Sequence, residues 1–108
     1  MPNTGVPPGT LVMLVLRVLQ GGALHGYAIA QRIHALSSDE LQVEEGSLYP
    51  ALQRILVKGW ARAAWGTSET GRRVRFYLLT ASGRRQLESE MLDYERINAA
   101  IRTVLRTA

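Results

Sequence analysis

The sequence contains no cysteine. Disulfides, thiolate nucleophiles and cysteine-ligated zinc are therefore excluded together, and a reducing cytoplasm is compatible with that usage. Histidine is scarce: His25 and His34 are the only two. Both fall on one expected helix with no carboxylate at ligand spacing, so neither a metal nor any other cofactor is expected. Nothing pairs a nucleophile with a base. No glycine-rich loop opens a helix after a strand, and Gly21-Gly22 lies between two helices instead. Enzymatic activity is not expected. Long apolar runs are also missing. Leu11 to Leu16 is short, is followed by Arg17 and has no cation ahead of it, which suits neither a signal peptide nor a membrane span. Internal repeats and low-complexity tracts are absent. The reading is a soluble cytoplasmic protein.

What is present fits one small globular domain. The chain has 108 residues, 46% hydrophobic and 20% charged, enough for one modest core but not for two. The net charge of +4 is unevenly spread. Arg54 to Arg85 holds eight cations (Arg54, Lys58, Arg62, Arg72, Arg73, Arg75, Arg84, Arg85) and one acid, Glu69, for a net +7. The remainder has five cations and eight acids, a net −3. A cationic third of a small domain points to a polyanionic partner.

Met1 to Gly9, rich in Pro and Gly, reads as a flexible arm. Thr10 can cap a first helix reaching Gln20. That helix is apolar almost all round, so it needs cover on several sides, from its own core or from a partner subunit. Gly21-Gly22 ends it. A second helix runs from His25 to Leu36, with Tyr27, Ile29, Ala30, Ile33 and Leu36 on its apolar side. A turn at Ser37 to Glu40 leads to a very short strand, Leu41 to Val43. Ser47 is placed to cap a third helix, residues 46–59. Glu44 and Glu45 stand at its positive end and Pro50 in its first turn. Leu48, Leu52, Ile55 and Leu56, with Ala51 beside them, point inward. Tyr49, Gln53, Arg54 and Lys58 point outward.

Two strand-like stretches follow, Trp60 to Trp65 and Val74 to Leu79, joined by a polar basic loop. They read as a β-hairpin over residues 60–79. Trp60 is assigned to the core at the hairpin root; Trp65 is assigned to the core too, with a semi-exposed platform for a flat ligand as the alternative. Thr80 can then cap a last helix that runs almost to the end. Leu87, Met91, Tyr94, Asn98, Ile101, Leu105 and Ala108 alternate in steps of four and three along it, widened by Ile97 and Val104. That is a coiled-coil seam held for three heptads, with Asn98 as a register-setting polar position. The helix would be roughly 40 Å long, more than so small a domain can cover, and its exposed seam invites a second copy of the chain.

Three helices and then a hairpin make the order of a winged helix-turn-helix: mainly α, with a small β-hairpin and a long C-terminal dimerisation helix. The third helix of such a fold enters the DNA major groove and the wing reaches flanking DNA. Gln53 can pair with a base edge and Arg54 can fork toward guanine. Ser47, Tyr49 and Lys58 can bond phosphates. Each has a plainer alternative: Lys58 suits a helix C-terminus, and Gln53 and Arg54 suit a solvated face. The arginines Arg72, Arg73 and Arg75 on the loop and returning strand are harder to explain without a polyanion. Arg84 and Arg85 stand in the first turn of the last helix, where either Arg84 pairs with Glu88 at i,i+4 or both face a phosphate; the pairing is preferred.

His25-Gly26-Tyr27, then Gly46-Ser47-Leu48-Tyr49-Pro50-Ala51-Leu52, then Gly71 to Thr80 and Gly83-Arg84, taken together, closely resemble the PadR family of transcriptional regulators. The resemblance spans roughly Leu11 to the chain end and fits the smaller branch, with a single C-terminal helix. It implies a dimeric winged-helix repressor on a pseudo-palindromic operator. The last helix and the partner's first helix would form the dimer interface, while Tyr49, its neighbours and the hairpin arginines approach DNA. Two departures stand out. Ala23-Leu24 precedes the His-Gly-Tyr motif where relatives often have proline. The last helix carries Tyr94 and no tryptophan, whereas some relatives use a tryptophan there to hold planar hydrophobic compounds. A small hydrophobic effector is left open, as is a module that binds only proteins, although the cationic segment argues against the latter. The candidate DNA contacts are His25, Tyr27, Ser47, Tyr49, Gln53, Arg54, Lys58, Arg72, Arg73 and Arg75. The candidate dimer contacts are Leu11, Leu14, Leu87, Met91, Tyr94, Ile97, Asn98, Ile101 and Leu105.

Overall fold

A helix that is apolar on every side must be covered on every side, and α1 (Leu11–Leu19) is the centre of this fold. In the computed structural model, which describes residues 4–107, α1 packs against three other helices and the main sheet. Val12, Met13, Val15, Leu16, Val18 and Leu19 are buried, so most of the cover comes from the same chain. Leu11 and Leu14 are half-buried and Arg17 is exposed. Thr10 does not cap α1 with its side chain. Its hydroxyl donates to the Pro7 carbonyl at 2.7 Å instead, so the preceding turn takes the group that the helix would use. The sequence reads residues 1–9 as a flexible arm. Residues 1–3 lie outside the described residues, and β1 (Thr4–Gly5) is tied down by parallel pairing with β3 (Leu41–Gln42).

The second helix, α2 (Gly26–Leu36), buries Ile29 and Ile33 against α1 and the sheet. Tyr27 and Leu36, assigned by spacing to its apolar side, are both mostly exposed. They sit at the helix ends, past the reach of the core. The third helix, α3 (Glu45–Val57), starts earlier than residue 46 because Glu44 is extended and its carbonyl accepts from Leu48 N at 2.9 Å. Ser47 is therefore inside the helix rather than its cap, and Pro50 is its sixth residue. Pro50 leaves the Gly46 carbonyl without its usual i+4 donor, but both residues are exposed and solvent can reach the acceptor. At the far end Gly59 takes a φ of +76°. Gly59 N donates to Leu56 O and Trp60 N to Ile55 O, each at 3.0 Å, which is the paired Schellman closure that favours glycine there. The helix ends at Val57, two residues before Gly59.

The wing is longer in strand and shorter in loop than residues 60–79 suggest. Strands β4 (Ala61–Thr67) and β5 (Arg73–Leu79) pair antiparallel from Ala61↔Leu79 to Thr67↔Arg73. Only Ser68 to Arg72 turns, held by Ser68 N donating to Arg72 O at 2.8 Å. A third strand, β2 (Leu24–His25), adds to the other edge of β5 and gives the order β2-β5-β4. Two residues carry no periodicity, so this pairing is set by tertiary contact alone.

Thr80 caps α4 (Ala81–Thr107): its Oγ1 accepts from Gly83 N at 3.0 Å and donates to Gly59 O at 2.7 Å. One hydroxyl thus joins the end of α3, the root of the wing and the start of α4. Replacing Thr80 with Ala is expected to cost about 1–2 kcal/mol, seen as a lower urea midpoint at fixed protein concentration. An unchanged midpoint would show the link to be dispensable. Leu87 is the last buried residue of α4, and the helix then leaves its own core, along a molecule 54 Å in its longest dimension. Met91, Tyr94, Ile97, Ile101, Val104 and Leu105 are exposed and Asn98 is half-buried. Ala108 of the expected seam lies outside the described residues. Arg84 and Glu88 form no ion pair.

Candidate nucleic-acid interface

At 100° per residue, the buried side of α3 fixes where its other residues point. Leu48, Ala51, Leu52 and Ile55 face α1 and the wing root. The opposite strip holds Gly46, Pro50, Gln53 and Val57, all exposed. Val57 is 75% exposed, an apolar side chain in the middle of the outward face. Tyr49 and Arg54 lie on the two flanks, about 140° apart on the wheel.

The Tyr49 flank faces the start of α2. A Cβ on Gly26 would sit 3.0 Å from the Tyr49 hydroxyl and 3.3 Å from its ring, so the absence of a side chain at Gly26 makes the seat for this phenol. Tyr49 and Tyr27 line one groove of about 460 Å³ with Gln31, His34 and Glu45. Gln31 Nε2 donates to the Tyr27 hydroxyl at 3.0 Å. A second groove, about 540 Å³, runs between α2 and the wing tip and is lined by His25, Tyr27, Gln31, Ser68 and Arg72 among others. The two grooves share Tyr27 and Gln31, so four expected contacts, from β2 (His25), α2 (Tyr27), α3 (Tyr49) and the wing turn (Arg72), lie along one continuous surface. Gln31 belongs to this surface and the sequence reading omits it. Its i+4 spacing from Tyr27 on one helix was the available signal.

Arg75 lines neither groove and lies on the sheet face that carries Tyr77. Burial pushes the Tyr77 phenol above its usual pKa; the Arg75 guanidinium draws it back in part, and the Tyr49 phenol adds to the rise. Both Arg75 and Tyr49 are thus within electrostatic reach of Tyr77. The neutral phenol is the form the fold favours, so this contribution is complete below pH 10 and is lost as pH rises through the raised value. Tyr77→Phe should therefore unfold less steeply with alkali than the parent chain, as read by denaturant midpoints above pH 10. Parallel curves would remove the coupling.

The other flank of α3 faces elsewhere. Arg54 lines a cleft of about 200 Å³ with Gly9, Leu11, Val12, Trp60 and Glu90, toward α1 and α4. Ser47 borders the arm and β3. Lys58 is exposed at the C-cap of α3. These three do not share the grooves that hold Tyr49 and Arg72.

On the wing, strand parity places Ala61, Ala63, Trp65 and Thr67 on one sheet face with Arg73, Arg75, Tyr77 and Leu79. Ala61 and Tyr77, near the root, are buried; Trp65, nearer the tip, is 63% exposed. Trp65 is therefore not a core residue, because the hairpin outruns the core it springs from. The Arg73 guanidinium lies over its ring, 4.9 Å from the centroid. Trp60, at the root, packs against the core as expected.

Three helices, a wing rich in arginine and an exposed helix face beside it define a winged-helix protein of the transcription-regulating kind. Residues 15–89 match the transcriptional regulator PadR-like family, and the chain belongs to that family. A transcriptional regulator from Clostridium thermocellum has a similar structure, with TM-score 0.81 and 24% identity over 88% of this chain and 92% of that one. A PadR-family transcriptional regulator from Eggerthella lenta is similar with TM-score 0.77 and 27% identity, over 93% of this chain and 85% of that one. An uncharacterised 37.1 kDa protein in transposon Tn4556 of Streptomyces fradiae is 40% identical over 82% of this chain, which spans 24% of its length. No helix among the described residues is long and apolar enough to cross a membrane.

Proposed function

We propose that this protein is a cytoplasmic repressor that binds a pseudo-palindromic operator in duplex DNA as a homodimer. The observation that carries the reading is the continuous surface from Tyr49 through Tyr27 and His25 to Arg72, bordered by Glu44, Glu45 and Glu69, with Arg73 and Arg75 on the other face of a wing in which Glu69 is the only acid. α3 enters the major groove with Gln53 at the base edges, and the wing lies on flanking backbone. Ser47, Arg54 and Lys58, on the other flank of α3, reach phosphate in the opposite wall of that groove. The exposed seam of α4 from Met91 to Leu105, continuous with buried Leu87, is the surface for the second copy, with Leu11 and Leu14 of the partner's α1 against it.

Selection of bound duplexes from random sequence tests this reading, with the mass of the protein measured by sedimentation. The expected result is a dimer that enriches two inverted half-sites, centred about 34–36 Å apart. A pool that never converges, or a monomer at working concentration, would overturn it.

A further inference from the structure

The exposed Trp65 has no place in the core, and its ring lies against a cation of the wing. We propose that Trp65 is a positioning residue for DNA binding: its indole holds the Arg73 guanidinium in place so that the wing meets the DNA backbone with one cation already ordered. This rests on the DNA-binding reading above.

The register makes the arrangement. Trp65 stands directly opposite Arg75, and Arg73 stands opposite Thr67, one step nearer the tip on the same sheet face. Diagonal neighbours on such a face are close enough for long and aromatic side chains to touch. Arg73 takes that diagonal and lies 4.9 Å from the indole centroid. Contact with the indole holds the cation without spending its N–H donors on a carboxylate, as an ion pair would. Arg73 makes no ion pair among the described residues, so its donors are available for a phosphate, which Arg engages through two parallel bonds. The pair is also at the surface rather than sealed: Trp65 is 63% exposed and Arg73 is exposed. Arg72 and Arg75 flank it, with Glu69 the sole acid of the hairpin. A polyanion is the partner this charge fits. An arginine that is already held loses less freedom on binding than one that swings free, so the indole acts through Arg73 and needs no base contact of its own.

A double-mutant cycle on DNA affinity tests the pair, with a duplex recovered by the selection as the probe and urea midpoints measured alongside. Trp65→Ala should weaken binding about fivefold, the size of an exposed cation–π contact, while its urea midpoint stays that of the parent chain. Trp65→Phe keeps a ring and should bind within about twofold of the parent. In an Arg73→Ala background the further change Trp65→Ala should have almost no effect, because the group it positions is gone. Full additivity of the two effects, or a Trp65→Ala protein that binds like the parent, overturns the positioning role while leaving DNA binding intact. A parent chain that binds no duplex overturns the underlying reading and this role with it.

Discussion

Replacing Gly83 with alanine is expected to destabilise the protein by about 3 kcal/mol. A Cβ at Gly83 would lie 2.0 Å from the Trp60 carbonyl oxygen and 2.7 Å from Leu79 Cδ1. The leucine end can swing aside, but the carbonyl is backbone and is already fixed by Thr80 N donating to it at 3.1 Å. Relief requires α4 to move away from the wing root, which breaks that bond and strains the Thr80 link to Gly59. Alanine is the better helix former by up to about 1 kcal/mol, a gain too small to offset the clash. Against a total stability of order 5–15 kcal/mol, the destabilisation should lower the urea midpoint by about 2 M for an m-value near 1.5 kcal/mol/M. Gly46→Ala is the control, because nothing lies within 4 Å of its Cβ position; it should unfold at or slightly above the parent midpoint. A Gly83→Ala protein as stable as the parent would mean that α4 meets the wing root more loosely than this packing implies.

Gly83 also marks how much of the fold can be read from the chain. Apolar patterning found every helix: α2, α3 and α4 each carry a repeating strip, and α1 is apolar on nearly every side. It found the wing for the same reason: β4 and β5 are seven residues each. It failed where the deciding contact leaves no periodic trace, whether remote in sequence or inside a local turn. β2 is two residues whose only signature is pairing with Tyr77 and Phe76. The hydroxyl of Thr10 was free to cap α1 on local grounds, yet the Pro7 carbonyl takes it. Ser47 is a good cap by residue type, but the extended conformation of Glu44 sets the start of α3 ahead of it.

For the candidate interface, residue type was legible and direction was not. Arg72, Arg73 and Arg75 are close in sequence, but Arg72 borders the α2 groove while Arg73 turns onto Trp65. Gln53 and Arg54 are adjacent, but one lies on the outward strip and the other beside Glu90. Trp65 shows the limit most clearly. The register places it on the face that carries Ala61 and Tyr77, but residue type and strand position do not say how far from the core a residue stands. Two strand positions beyond Ala63, there is no core left to bury an indole.

The joint replacement of Arg72, Arg73 and Arg75 by alanine should have the largest effect on DNA binding. Each arginine that meets a phosphate releases a counterion, so the slope of log affinity against log salt falls by about 0.9 for each phosphate left without its arginine. If all three engage in both protomers, the slope should become shallower by about 5 units and affinity at 0.1 M salt should drop at least about a hundredfold. The division of the three between two directions makes the size of the change informative. A wing that lies with its Trp65 face on the backbone uses Arg73 and Arg75, and their replacement removes about 4 units of slope; a backbone seated in the groove beside Tyr27 uses Arg72, whose replacement removes about 2. Phosphate contacts carry no base information, so specific and random duplexes should weaken by the same factor. Gln53→Ala should do the opposite, narrowing the gap between specific and random duplexes with little change in slope. A triple variant with the salt slope of the parent would detach the wing from the DNA and leave α3 and the start of α2 to bind alone.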